Sequence, residues 1–183
     1  MPTQYSTQSL VDVDGIRNVT DLLVRRAKEA PQHVAFEVPA KSGDLSEPWQ
    51  PISTQDFVRE VCLLAKGFIA AGVQAGDVIA IMSATRYAWA VVDMAAWFAG
   101  AVVVPIYDSS SPAQVAAICR DADVRVAVAG DSGQVEILRQ AIRETGVAAL
   151  GVWAMDGKSA GPGAPTILDL AARAFEVSDN ELE

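Results

Sequence analysis

Residues 157–159 (Gly-Lys-Ser) have the residue types that grip a nucleotide phosphate at the end of a P-loop, and they follow a predicted strand. In a P-loop, backbone amides and the lysine contact the phosphates. Five residues separate Gly151 from Gly157, whereas the motif requires four. Residues 160–163 (Ala-Gly-Pro-Gly) also cannot begin the helix whose N-terminus would hold a phosphate. The spacing therefore excludes a P-loop.

Residues 130–133 (Gly-Asp-Ser-Gly) are a second candidate phosphate site, because they lie between a predicted strand and a predicted helix. A dinucleotide fingerprint would need a third glycine and an acid at the end of the next strand, and neither is clear in this sequence. Asp131 or Ser132 is a suitable N-cap for the helix. We favour capping over phosphate binding for this segment.

Residues for nucleophilic, acid–base or metal chemistry are sparse. His33 is the sole histidine, which excludes a multi-histidine metal site and leaves a hydrolase triad one candidate base. Asp121 and Asp123 flank a predicted helix end, where solvated acids are common. Cys62 and Cys119 each lie in an apolar helical pattern, which is typical of buried thiols in a reducing compartment. We predict no catalytic residue and no metal ligand.

The charge balance limits the classes of partner that the chain can bind. With 14 basic and 23 acidic side chains, the net charge is −9, which repels nucleic acid and anionic lipid headgroups. No apolar run precedes Arg17, the first basic residue, so no signal peptide is indicated and a cytoplasmic location is predicted. Residues 88–104 are apolar, but Asp93 and Gly100 interrupt them, so we predict a buried helix and strand rather than a transmembrane segment.

Four short β-rich runs are spaced so that one helix fits between each pair. Their starts are 24, 22 and 24 residues apart. The runs are apolar apart from Arg125 and do not alternate with polar residues, as expected of strands that are covered on both faces and joined by crossover helices. The sequence predicts an α/β fold: a doubly wound, mainly parallel sheet with helices on both faces. The predicted strands are residues 78–82, 102–106, 124–129 and 148–152.

Capping residues mark several helix boundaries. Ser53 with Asp56 predicts a helix start, and Ser111 with Gln114 forms a capping box with proline at the first helical position, so that helix should reach about residue 121. The remaining predicted elements are a helix over 18–30, an antiparallel pair from 33–38 and 49–52, surface loops at 41–48 and 156–165, and a last helix over 167–175.

Two stretches carry a family resemblance, residues 72–89 (GVQAGDVIAIMSATRYAW) and 102–114 (VVVPIYDSSSPAQ). With Trp49, Ile52 and Ser53 before them, they resemble the N-terminal portion of the adenylate-forming (AMP-binding) enzymes. Residues 100–107 (GAVVVPIY), followed by two serines, resemble the bacterial long-chain fatty acyl-CoA synthetase branch in particular. The resemblance covers roughly residues 18–131.

The resemblance implies a ligase that joins a fatty acid to coenzyme A through an acyl adenylate. ATP, magnesium and coenzyme A are then expected for the full-length enzyme and none for this fragment, because the family's phosphate-binding loop is expected after Glu183. Residues 1–17 are polar and are predicted to form a flexible segment. The resemblance also implies an N-terminal α/β subdomain over 18–183, truncated before that loop. We therefore expect this chain alone to be inactive.

Tyr107, Ser109 and Ser110 are the candidate substrate-binding residues, because they follow a parallel strand at the edge where ligands usually bind. A plain strand-to-helix connection explains them equally well. The expected partners are the remainder of the ligase and, in the full-length enzyme, a fatty acid. An alternative is a stand-alone acyl- or partner-binding regulatory module derived from the ligase fold. A homodimer through exposed apolar surface is a further expectation.

Overall fold

The computed structural model describes residues 7, 14–39, 46, 48–157 and 164–182. Within them the chain forms six helices and six strands, followed by two 3-10 turns at Ala174–Glu176 and Asp179–Leu182. The elements are α1 (Val19–Glu29), β1 (Val34–Pro39), β2 (Trp49–Ser53), α2 (Thr54–Ala70), β3 (Val78–Met82), α3 (Tyr87–Phe98), β4 (Val102–Ile106), α4 (Pro112–Asp121), β5 (Val124–Ala129), α5 (Ser132–Thr145), β6 (Gly151–Ala154) and α6 (Ile167–Ala171).

Strands β3 to β6 form one parallel sheet in the order β4-β3-β5-β6. Ile81 of β3 lies between Pro105 of β4 and Val128 of β5. After β4 the chain crosses back over β3, and the helices change faces at the same point. Helices α2, α3 and α6 cover one face, and α4 and α5 cover the other. Changing face and direction together keeps the handedness of the crossovers constant. The predicted doubly wound sheet with helices on both faces is confirmed.

Successive residues of β3 point to opposite faces of the sheet and are buried on both. Ile79 and Ile81 pack against α2 and α3. Ala80 and Met82 pack against α4 and α5. All four side chains are completely buried, which explains why the strand is apolar at every position instead of alternating.

Strands β1 and β2 form the predicted antiparallel pair, with Glu37 opposite Pro51. The pair packs through Phe36, whose ring centroid lies 4.8 Å from that of Phe57 on α2 and 5.2 Å from that of Tyr87 on α3. These distances and the tilted ring planes are typical of favourable aromatic contacts. The aromatic contacts attach the hairpin to the helical layer on one face of the sheet.

The predicted helix starts are confirmed by their caps. The Asn18 side chain accepts a hydrogen bond from the third residue of α1. Ser53 accepts from the Asp56 amide at 3.1 Å and donates to its carboxylate at 2.7 Å. Ser111 and Gln114 each accept from the other's backbone amide, which completes the predicted capping box of α4. Such caps satisfy amide groups that have no partner within the helix.

The prediction for the last strand of the sheet is wrong by three residues at its start and by two at its end. It placed the strand at 148–152, whereas β6 spans Gly151–Ala154. The Leu150 amide donates to the Arg125 carbonyl, and the regular ladder begins with Val126 opposite Gly151. The register between β5 and β6 therefore determines where β6 starts. A local apolar pattern cannot predict that register.

The predicted last helix over 167–175 is also too long, because α6 ends at Ala171. Beyond it, the Arg173 guanidinium donates at 2.6 Å to the carbonyl of Ala70, at the end of α2. A 3-10 turn follows that buries Ala174 and leaves Phe175 exposed. Contact with α2 therefore redirects the chain, since its own sequence would continue the helix.

Helices α2 and α6 approach each other closely at Gly67. A β-carbon placed on Gly67 would overlap the backbone carbonyl of Leu170 and lie 3.0 Å from the Ala171 nitrogen. Nearby, the Lys66 ammonium forms a 2.5 Å ion pair with Asp179. These contacts and that of Arg173 hold residues 164–182 against α2.

Both outer strands of the sheet have features that hinder further pairing. β4 contains Pro105, which has no backbone N–H to donate. On the other side, Ala154 of β6 forms an isolated bridge with Thr166, and its amide donates to the Pro165 carbonyl at 2.9 Å. The described segment after residue 163 thus covers the end of β6.

Three sequence predictions fall wholly or partly on residues outside the described ranges. These residues are 1–6 and 8–13 of the predicted flexible segment 1–17, residues 41–45 and 47 of the predicted loop 41–48, and residues 158–163 of the predicted loop 156–165.

Candidate functional site

The carboxyl ends of the strands are where an open parallel sheet usually binds its ligands, above all where neighbouring strands continue in opposite directions. Here that point lies between β3 and β5, since the chain leaves β3 toward β4 and leaves β5 toward β6. The residues that follow these strands, with those that follow β4, form the candidate site.

A cleft of about 450 Å³ opens at this edge beside the ends of β3 and β4. Tyr107 lines it and is 84% exposed, so its ring is accessible to a ligand. Ser109 and Ser110 lie in the adjoining turn, in which the Ser110 amide donates to the Tyr107 carbonyl at 3.0 Å, and they are not part of the lining. The lining residues are Ser83, Ala84, Thr85, Trp89, Pro105, Ile106, Tyr107 and Asp108.

Arg86 fills the space between the ends of β3 and β5. Its guanidinium donates at 2.9 Å to the carbonyl of Gly130 and at 3.0 Å to the carboxylate of Asp156, and its Nε lies 3.4 Å from the sulfur of Met155. One side chain therefore joins the loops that follow three strands. The positive charge is already neutralised by Asp156, so little of it is left to attract a phosphate.

The glycine-containing segment after β5 is packed tightly against the loop after β3. The Gly130 amide donates to the Met82 carbonyl and to the side chain of Gln134, both at 2.9 Å. A β-carbon on Gly130 would lie 2.5 Å from the hydroxyl oxygen of Ser83. Asp131 caps α5 by accepting from the Gln134 amide at 2.8 Å. Close packing and capping thus account for the composition of this segment.

A second depression, of about 710 Å³, lies between the β1–β2 hairpin and the start of α3. It shares Trp89 with the cleft, and its other walls include Val38, Trp49 and Tyr87. The Tyr87 hydroxyl donates to Glu60 at 3.0 Å. Burial, and then the nearby Glu60 carboxylate, raise the pKa of Tyr87, so this tyrosine stays protonated at neutral pH. The depression is mainly apolar and suits an aliphatic or aromatic group.

Sequence reasoning placed Tyr107 at the strand end but did not identify Arg86, Gln134 or Asp156 as parts of the same edge. A usable signal existed for Arg86 alone, since an arginine directly before a helix that is apolar except for Asp93 needs partners for its charge. Its partners lie 44 to 70 positions away along the chain.

The chain matches the family described as AMP-binding enzyme over residues 23–168. This match includes β1 to β6 and both helical layers of the sheet. The chain belongs to the AMP-binding enzyme family. Its described edge therefore represents part of an AMP-binding fold, with Arg86 between the strand ends.

Curated relatives of this AMP-binding chain are much longer than the matched region. It is 32% identical over 139 residues to the long-chain-fatty-acid–CoA ligase FadD15 of Mycobacterium tuberculosis and to that of Mycobacterium bovis. Each match covers 70% of this chain and 22% of the relative. The chain thus spans about a fifth of the length of these relatives.

Solved structures share the same AMP-binding fold. A putative long-chain-fatty-acid CoA ligase from Rhodopseudomonas palustris has a TM-score of 0.69 at 25% identity, over 88% of this chain and 36% of that one. The long-chain-fatty-acid-CoA ligase FadD1 of Archaeoglobus fulgidus has a TM-score of 0.69 at 18% identity, over 84% of this chain and 29% of that one. The second likeness shows the fold alone.

Other chemistry-bearing groups of the AMP-binding chain lie apart from the cleft. Among the described residues, no group of three or more His, Cys, Asp and Glu side chains could hold a metal ion. Cys62 and Cys119 are free thiols, and burial raises the pKa of each. In the described ranges, every helix is too short or too polar to cross a membrane.

Proposed function

We propose that this chain forms the N-terminal part of an ATP-dependent long-chain fatty acid–CoA ligase. The overall reaction of that enzyme converts a fatty acid, ATP and coenzyme A into acyl-CoA, AMP and pyrophosphate. The observation that carries the proposal is the 32% identity, over 139 residues, to relatives named long-chain-fatty-acid–CoA ligase. The partner of this part is then the remainder of the ligase.

The described residues at the strand ends do not fit a triphosphate. Holding one requires several free backbone amides and unpaired cations. Here the Gly130 amide donates to Met82 and Gln134, and the Arg86 guanidinium is engaged by Gly130 and Asp156. We therefore assign ATP, magnesium and coenzyme A to the complete enzyme, and to this chain the role of a scaffold that forms one wall of the acyl cleft.

We expect the 183-residue chain by itself to show no ATP–pyrophosphate exchange with palmitate and magnesium, because no triphosphate is held in place for attack. FadD15 of Mycobacterium tuberculosis, assayed in parallel, is the positive control. Radiolabelled pyrophosphate incorporated into ATP is the measurement. Exchange by this chain that is clearly above the enzyme-free background would overturn the assignment.

Tyr107 is proposed as a contact for the alkyl chain, with Ser109 and Ser110 beside it. We expect Tyr107→Ala to weaken palmitate binding to the chain by about five-fold, which calorimetry below the micelle concentration measures. Phe175→Ala is the matched control, since Phe175 is 86% exposed, like Tyr107, but does not line the cleft. Equal loss in both variants, or none in Tyr107→Ala, would remove Tyr107 from the site.

The mainly apolar depression between the β1–β2 hairpin and the start of α3 favours a second candidate function, a stand-alone acyl- or partner-binding regulatory module with the ligase fold. Such a module should change the turnover of a complete ligase when it is added in excess. A change of more than about two-fold in the acyl-CoA formation rate of FadD15 supports this alternative.

The cytoplasmic location of the chain stays a prediction.

A further inference from the structure

Helix α1 has little cover within this chain. It has 11 residues, none of them buried, and Val19 and Leu22 are 50% and 43% exposed. A helix this short is marginal by itself and depends on packing of an apolar face. The exposed apolar side chains indicate that another surface covers α1.

Between α1, β1 and α3 lies a groove of about 440 Å³, here called the α1–α3 groove. Its walls include Leu23 of α1, Phe36 of β1, and Trp89 and Met94 of α3. Trp97, one helical turn beyond Met94, is 38% exposed and lines a neighbouring depression with Val19. The apolar surface is thus continuous along α1 and α3, as at the centre of many protein interfaces.

Two opposite charges line this groove without pairing to each other. Arg26 comes from α1 and Asp93 from α3, and within the described residues neither side chain takes part in an ion pair. Asp93 is half-buried among apolar groups, so its carboxylate would gain from a cation supplied across an interface.

We propose that the α1–α3 groove is the interface of a symmetric homodimer in which Arg26 of each copy pairs with the partner's Asp93. A two-fold interface uses the same patch on both copies, so the patch must carry both members of each complementary pair. This groove carries one cation and one anion beside an apolar centre. Since each copy has a net charge of −9, the two ion pairs also offset part of the repulsion between copies.

Charge exchange tests the interface without reference to ligase activity, so its failure is distinct from that of the proposed function. We expect the unmodified chain to dimerise in sedimentation velocity between about 1 and 200 µM. Arg26→Asp and Asp93→Arg each place like charges opposite one another and should raise the dissociation constant by at least about ten-fold. The double variant R26D/D93R should return it to within about three-fold of the original value.

Three results would overturn the proposal: a monomer at every concentration, a dimer unaffected by either single variant, or a double variant that folds and stays monomeric. Arg143→Asp is the matched control, because Arg143 pairs with Glu136 on the exposed face of α5, and it should leave dimerisation unchanged. Circular dichroism checks the folding of each variant. If the double variant does not fold, Leu22→Asp provides the deciding measurement, because Leu22 is an exposed apolar residue of the groove. A dimer that persists in Leu22→Asp also rejects this interface.

Discussion

Gly67→Ala is expected to lower the free energy of unfolding by about 2 kcal/mol, although alanine favours a helix by about 1 kcal/mol over glycine. The substitution is destabilising overall because of the backbone of α6. A β-carbon at Gly67 would overlap the carbonyl of Leu170, and a backbone group cannot move aside as a flexible side chain can. The two helices must separate, which also weakens the contact of Arg173 with Ala70.

Thermal unfolding and urea titration measure this effect, and the melting temperature should fall by about 5 °C for a chain of this size. Gly157→Ala is the matched control, because no atom of the described residues lies within 4 Å of a β-carbon at Gly157, so its stability should change by less than about 0.5 kcal/mol. An increase in stability for Gly67→Ala would show that α2 and α6 are not in close contact in solution.

Arg86→Met should lower the free energy of unfolding by about 2 kcal/mol, because it removes two charge-assisted hydrogen bonds and leaves the carbonyl of Gly130 without its donor. Solvent screens this ion pair, since Arg86 and Asp156 are partly exposed, and this limits the loss. Arg86→Lys keeps the charge but not the planar fork, so it should restore less than half of the loss.

Amide hydrogen exchange distinguishes this local role from a general loss of stability. In Arg86→Met, exchange at residues 130–134 should accelerate more than exchange in α1, because the loop after β5 loses its contact with the loop after β3. Arg143→Met, which removes an exposed ion pair with Glu136, serves as the control and should change stability by less than about 0.5 kcal/mol. Uniform acceleration across the chain would contradict the proposed role of Arg86.

Local signals predicted much of the fold. The first three strands of the sheet match their predicted bounds, because each is a short run dominated by β-branched and other apolar residues between turn signals. The caps at Ser53 and Ser111 were predicted because a capping side chain and its amide partner lie three residues apart. In both cases the cause of the structure lies within a few residues of its effect.

The wrong predictions concern effects that arise far along the chain. The start of β6 depends on its register with β5, and the end of α6 depends on a contact between Arg173 and Ala70, 103 positions apart. The position of Arg86 between the ends of β3 and β5 likewise depends on its contacts with Gly130 and Asp156. Composition and periodicity do not reveal such long-range contacts. The position of Tyr107 at the edge of the sheet could be predicted, because it depends only on where β4 ends.

The two outer strands bear on how the protein behaves when it is concentrated. An exposed strand edge is a template on which further chains can add and grow into insoluble fibrils. With Pro105 on one side and Thr166 bridged to Ala154 on the other, neither border of the sheet offers a long uninterrupted row of donors and acceptors. Overexpressed protein should therefore remain dispersed or form small assemblies through its side chains, and dyes that report amyloid should not respond to it.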